Sequence, residues 1–381
     1  MKNGPETFLK MLIRIDKSVA DRAVNNDDVT LLVVQSIATA QAMGYHIVWA
    51  EKSVLITLSQ LKSLSTNDRQ IFYAILQKYA VSGSSYSRIG FFLLVTYTQN
   101  TGRYNDHIAI NPDDSPNFNF VNKTNILAEN LDDATMFGFI GQYYIRQNPL
   151  FANIGIVYEK ELGGGDTTAK KYEDFAKAGE KLCLSVLDGD IKYLGCSEGD
   201  TLKKVRNIDK RCPFNCLVYG TQEVREVENL IPDILYKGES NYKNTDIVSN
   251  NLCFNMSFFD IKEGLLYKSL WKEEARKYWK TVLVAYPAYI SSIDFAEYLA
   301  TNSKDSNEFK SICCNNIIIG GFGTKLFSYV LKNKATELGK IENVDLAKPN
   351  QETEWNTIGE LVFRWCCSAR VNKNSIRTMR I

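Results

Sequence analysis

Residues 125–133 read Asn125-Ile126-Leu127-Ala128-Glu129-Asn130-Leu131-Asp132-Asp133. A short apolar run that closes on a glutamate and passes at once into an amphipathic stretch, Asp132 to Arg146, is the opening of a parallel βαβ unit. The same alternation continues downstream. A second strand is predicted at Asn153 to Glu159, then a glycine turn, Gly163-Gly164-Gly165, and a helix from Thr167 to Ala178. A third strand follows at Lys181 to Leu187, and a fourth at Asn215 to Gly220. Parallel neighbours need a crossover of a dozen or more residues, and three such crossovers fit the spacing. The predicted fold is α/β, a parallel sheet flanked by helices over residues 121–240.

Working outward, residues 1–120 mix helical stretches, Asp28 to Met43 and Asp68 to Tyr79, with apolar β-like runs at Tyr45 to Leu58 and Ile89 to Tyr97, so an α+β region is expected there. Asn111-Pro112 and Ser115-Pro116 are turn signals that mark its end. Residues 241–381 are expected to be mainly helical. The basic stretch from Ser368 to Ile381 is read as a solvated tail.

Bulk composition removes several classes of activity. The 381 residues hold only two histidines, His46 and His107, too few for Ser-His-Asp hydrolases, HExxH metalloproteases or histidine-based nucleases. Any catalysis must lean on carboxylates. A net charge of +1 gives no overall nucleic-acid signature, so phosphate binding would need a local patch. Nine cysteines, two pairs of them adjacent, do not suit a disulfide framework, and Cys212 and Cys216 lack a second pair for zinc. No window is long and apolar enough for a membrane span and the first residues lack a signal peptide's apolar run, so a cytoplasmic protein with no membrane partner is expected.

Ligands in open α/β sheets collect outside the carboxyl ends of the strands, and acids stand at three of those ends. Glu129 closes the first strand, Asp188 and Asp190 close the third, and Glu226 and Glu228 follow the fourth. Such oxygen donors suit Mg²⁺ or Mn²⁺. In Asp188-Gly189-Asp190 the glycine lets the chain turn so that both carboxylates can face one ion, although Asp-Gly after a strand is also an ordinary turn. Asp132 and Asp133 read equally well as helix caps.

Together the segments ILAENLDD at 126–133, GGG at 163–165 and VLDGD at 186–190 resemble the Toprim family, in which a glutamate follows the first strand, a glycine turn the second and a DxD the third. The resemblance covers about residues 122–236. It is closest to OLD-like and phage-defence Toprim nucleases, where an acid follows four residues after the glutamate and another comes after the fourth strand; here these are Asp133 and Glu226 or Glu228. Asn130 departs from the glycine common at its position.

The resemblance implies a metal-dependent nuclease acting on DNA or RNA, an effector of an antiphage or conflict system. Glu129, Asp188, Asp190 and Lys192 would be its catalytic residues. Two ions, Mg²⁺ or Mn²⁺, would be held by Glu129, Asp133, Asp188, Asp190, Glu226 and Glu228. The alternative is a catalytically weak Toprim-fold module that binds nucleic acid, or a partner ATPase or regulatory subunit. Ile317 to Lys325, with Gly320-Gly321-Phe322-Gly323, lacks the Walker spacing and reads as a tight turn into a packed helix, with Lys325 a second candidate for a cation at the metal site.

Overall fold

Four runs of four residues, Leu12–Ile15 (β1), Ile47–Ala50 (β2), Phe92–Val95 (β3) and His107–Ile110 (β5), are largely buried and lie side by side with the short Gly102–Arg103 (β4) in the order β2-β1-β3-β5-β4. The computed structural model describes residues 12–80, 92–114, 118–211, 213–314, 316–346 and 349–369. Ser115-Pro116, Cys212 and the basic stretch beyond Ala369 lie outside them.

The pairings β1–β2, β1–β3 and β3–β5 are parallel, and β4–β5 alone is antiparallel. The N-terminal region is therefore α/β, not α+β as the sequence suggested. The error lies in Tyr45 to Leu58. Its first half is β2, but Lys52–Gln60 is a helix (α3) that buries Val54, Leu55 and Leu58 on one face. Helices Lys17–Val24 (α1) and Asp28–Ala42 (α2) supply the β1-to-β2 crossover, each started by an aspartate: Asp16 Oδ1 accepts from Ser18 N–H at 3.0 Å and Asp27 Oδ2 from Thr30 N–H at 3.2 Å. The fourth helix, Thr66–Gln77 (α4), begins two residues before the predicted Asp68 and is capped by Ser65.

The second sheet has the order β10-β9-β6-β8, from Asn125–Ala128 (β6), Glu159–Leu162 (β8), Cys183–Leu187 (β9) and Cys216–Gly220 (β10). β6 runs parallel to both β8 and β9, and helices Leu131–Gln147 (α5), Thr168–Ala178 (α6) and Asp200–Asp209 (α7) fill the connections. The predicted second strand, Asn153 to Glu159, is two different pieces. Ile154–Ile156 (β7) leaves this sheet to pair antiparallel with Cys367–Ala369 (β13), while β8 begins only at Glu159. β8 reads Glu-Lys-Glu-Leu and is mostly exposed, an edge strand whose charges hide it from an apolar pattern search.

Contacts divide the chain into two compact units interleaved in sequence: 1–186, 204–219 and 357–381 in one, 187–203 and 220–356 in the other. The expected boundary near 120 falls inside the first and that near 240 inside the second. In the first unit, α5 lies against the end of the last helix, Pro349–Cys366 (α14), at glycines: a Cβ on Gly141 would come within 2.6 Å of Val362, and one on Gly359 within 2.8 Å of Tyr144. Phe151 and Phe363 stack beside them, centroids 4.5 Å apart.

The second unit is mainly helical, with Glu273–Val282 (α9), Pro287–Asn302 (α10), Ser306–Cys313 (α11), Leu326–Asn333 (α12) and the short Ala335–Leu338 (α13) following the single turn Asp246–Ser249 (α8). One antiparallel pair, Gly264–Leu266 (β11) with Ile317–Gly320 (β12), joins them. Ile317 to Lys325 is thus a strand and turn leading into α12, as the sequence suggested. No described helix is long and apolar enough to cross a membrane. The eight described cysteines form no disulfide with one another; Cys366 and Cys367 are buried, and so is Cys216.

Candidate functional site

Glu129 and Asp133 belong to the first unit. Glu129 is half-buried one residue past β6, and its carbonyl accepts from Gly164 N–H at 3.0 Å, so the glycine turn extends the β6–β8 ladder. Gly164 and Gly165 take left-handed φ values of 76° and 60° there. Asp133 is buried and its Oδ2 accepts from Asn130 N–H at 2.9 Å. That is the helix-capping role weighed against metal binding in the sequence.

Asp188, Asp190, Glu226 and Glu228 belong to the second unit, and their scaffold is a set of backbone contacts between two loops. Thr221, just past β10, donates its N–H to Leu187 O at 3.0 Å and accepts Gly189 N–H on its hydroxyl at 2.7 Å; Asp190 N–H donates to Arg225 O at 2.9 Å. The sequence assigned the turn's backbone freedom to Gly189. Instead, Asp190 carries the left-handed φ, 53°. Gly189 is required by space, since a Cβ there would stand 2.1 Å from the Thr221 carbonyl oxygen. Gly189→Ala is expected to lower the unfolding free energy by about 1–3 kcal/mol, the usual range for overpacking, read from urea denaturation. An unchanged midpoint would mean that the Thr221 carbonyl retreats without penalty.

Asp188 Oδ1 accepts from Val227 N–H at 2.7 Å, the first amide of the single turn Val227–Leu230, whose preceding residue is Glu226. Asn229 then ties this turn to a third segment: its Oδ1 accepts from Glu226 N–H at 3.0 Å, and its Nδ2 donates to Met256 O at 2.8 Å and Phe259 O at 2.9 Å. That segment delivers two residues no motif singled out, Asp260 and Lys262. Lys262 Nζ lies 3.1 Å from Glu226 Oε2 and 3.2 Å from Glu228 Oε1. Arg225 closes the other side, Nε 2.9 Å from Glu226 Oε1 and a terminal nitrogen 2.6 Å from Asp260 Oδ2.

Burial is high in this network: side-chain exposure is 7% for Glu226, 8% for Asp260 and 12% for Glu228. Burial raises the Glu226 pKa above the usual carboxylate range, although Arg225 and Lys262 oppose it. For Lys262 burial works against the charge, but Glu228, Glu226 and Asp188 outweigh it and hold the ammonium above the ordinary lysine range. The glycine-rich turn after β12 braces it: Phe322 N–H donates to Ile261 O at 2.7 Å and Gly323 N–H to Lys262 O at 3.0 Å, while a Cβ on Gly321 would meet Lys262 O at 2.6 Å.

The structure therefore brings Glu226 and Glu228 to one lysine, and that lysine is neither of the expected ones. Lys192 is exposed on the loop after Asp190. Lys325 lines a separate cavity of about 800 Å³ with Tyr242, Thr324, Ser328 and Lys332. Among the described residues no three carboxylate, thiolate or imidazole groups are gathered as a ligand set for a metal ion; around Glu226 and Glu228 basic side chains stand between the acids. Asp190 differs. Its carboxylate is half-buried and has no side-chain partner among the described residues. Asp190 is thus open to a cation in a way that Glu226 and Glu228 are not.

No known protein family, no curated protein and no solved structure matches the chain.

Proposed function

We propose that this chain is a metal-dependent nuclease that hydrolyses phosphodiester bonds of DNA or RNA on a Toprim-like domain, as an effector of an antiphage or conflict system. The observation that carries it is the Asp188-Gly189-Asp190 step. Backbone bonds and the Thr221 carbonyl fix its path, and Asp190 is held at a positive φ that side-chain-bearing residues rarely adopt, its carboxylate without a side-chain partner among the described residues. Backbone strain of this kind clusters at functional sites. The order of glutamate, glycine turn and DxD along β6, β8 and β9 supports the same assignment.

Asp188 and Asp190 would hold the Mg²⁺ or Mn²⁺. The bound ion would polarise the scissile phosphate and lower the pKa of a bound water. The chain's own contribution is to keep Asp188 oriented, through Val227 N–H, and to keep Lys262 charged beside it.

The test is cleavage of plasmid DNA and tRNA with Mg²⁺ or Mn²⁺, comparing wild type with Glu129→Ala and Asp188→Ala. Both variants are expected to be silent on the substrate that the wild type cuts; activity unaffected by either change would sink the assignment. The basic groups on Glu226 and Glu228 favour one other reading, a catalytically weak module that binds nucleic acid or a partner ATPase subunit. It would appear as binding without cleavage.

A further inference from the structure

We propose that Lys262 stands in for a second divalent cation, so that the Glu226/Glu228 pair holds a built-in ammonium and the chain binds a single metal ion. This rests on the nuclease reading only in taking Asp188 and Asp190 as the ligands of that one ion.

Glu226 and Glu228 are the acids after the fourth strand, the position from which a second ion would be held. Their oxygens instead converge on Lys262 Nζ at 3.1 and 3.2 Å. A divalent ion takes oxygen ligands at 2.0–2.6 Å, so it and the ammonium cannot occupy that space together. Nor is the lysine a loose surface partner. Its backbone is pinned by Gly323 N–H and crowded by Gly321, and the carboxylates facing it are almost fully buried.

The experiment counts Mn²⁺ ions on the full chain by isothermal titration calorimetry and by electron paramagnetic resonance of free Mn²⁺, without nucleic acid. Wild type is expected to bind one ion and Lys262→Met one more than wild type. Glu228→Gln, in which Lys262 keeps Glu226 as a partner, is expected to bind the same number as wild type. Two ions on the wild type, or the loss of one in Glu228→Gln, would overturn the proposal and leave the nuclease reading standing. No gain in a folded Lys262→Met protein would overturn it as well. Should Lys262→Met fail to fold, the wild-type and Glu228→Gln counts decide alone. If wild type binds no ion while Lys262→Met binds one, the lysine does fill a cation site and it is the nuclease reading that fails.

Discussion

Asp188→Asn should fold like the wild type and lose on the order of a thousandfold in metal-dependent cleavage, about 4 kcal/mol of transition-state stabilisation. Asparagine keeps a carbonyl oxygen where Asp188 Oδ1 accepts from Val227 N–H at 2.7 Å, so the turn carrying Glu226 and Glu228 keeps its anchor. Only the charge is removed. Asp188→Ala loses both: it is expected to be equally inactive but also less stable, by about 1–3 kcal/mol for an amide left without its acceptor. Single-turnover cleavage and thermal unfolding, measured on both variants, separate chemistry from architecture. Activity of Asp188→Asn within tenfold of wild type would remove Asp188 from the reaction.

How much of this was legible in the sequence depends on what each segment had to hide. The strands β6 and β9 are buried throughout and β10 at alternate residues, so all three read as largely apolar runs, and the sequence located each to within two residues. β8 was misplaced because an edge strand of charged residues carries no such pattern. In the N-terminal region the runs were visible but their pairing was not: parallel order follows from where the connecting helices pack, and α3 was taken for strand because Val54, Leu55 and Leu58 are all apolar.

The acids of the candidate site were named from motif spacing, but their partners were not. Lys262 and Asp260 lie over thirty residues beyond Glu228, in a loop whose only local signature is a mixture of charged and aromatic residues. Their place is set by Asn229, which bridges two backbone carbonyls of that loop, and by a glycine turn sixty residues further on. Pairing across such distances is tertiary information. A spacing rule can propose that Glu226 and Glu228 face a cation; it cannot tell a metal ion from a lysine.

The largest stability effect is expected at Arg225, because it is shared by two buried acids and is itself only 15% exposed, where Lys262 is 34% exposed. Arg225→Met leaves Glu226 Oε1 and Asp260 Oδ2 without the group now 2.9 and 2.6 Å away, in side chains that are 7% and 8% exposed. Removing one partner of a buried ionic group costs about 3–5 kcal/mol where the remaining charge is left unpaired; among the described residues Glu226 keeps Lys262 at 3.1 Å and Asp260 keeps only the Glu263 N–H on its other oxygen, so the lower end of that range is expected. The main-chain roles of Arg225, donating to Ser257 O and accepting from Asp190 N–H, survive the substitution, so the loss reports the side chain.

The sign of its pH dependence follows from Glu226. Burial already raises this carboxyl in the folded protein, so above the ordinary value of 4.5 the folded state holds its proton more tightly than the unfolded chain does. That contribution is fully present below 4.5 and is lost as pH rises through the folded value. Without Arg225 the folded value moves higher still, and the destabilisation relative to wild type should be largest at about pH 7.5 and clearly smaller at about pH 5, where Glu226 takes up its proton. Urea midpoints at the two pH values test this. A loss of equal size at both would mean that Arg225 acts through packing of its stem and not through its charge, and Arg225→Met combined with Glu226→Gln and Asp260→Asn, which leaves no buried charge to orphan, should then recover nothing.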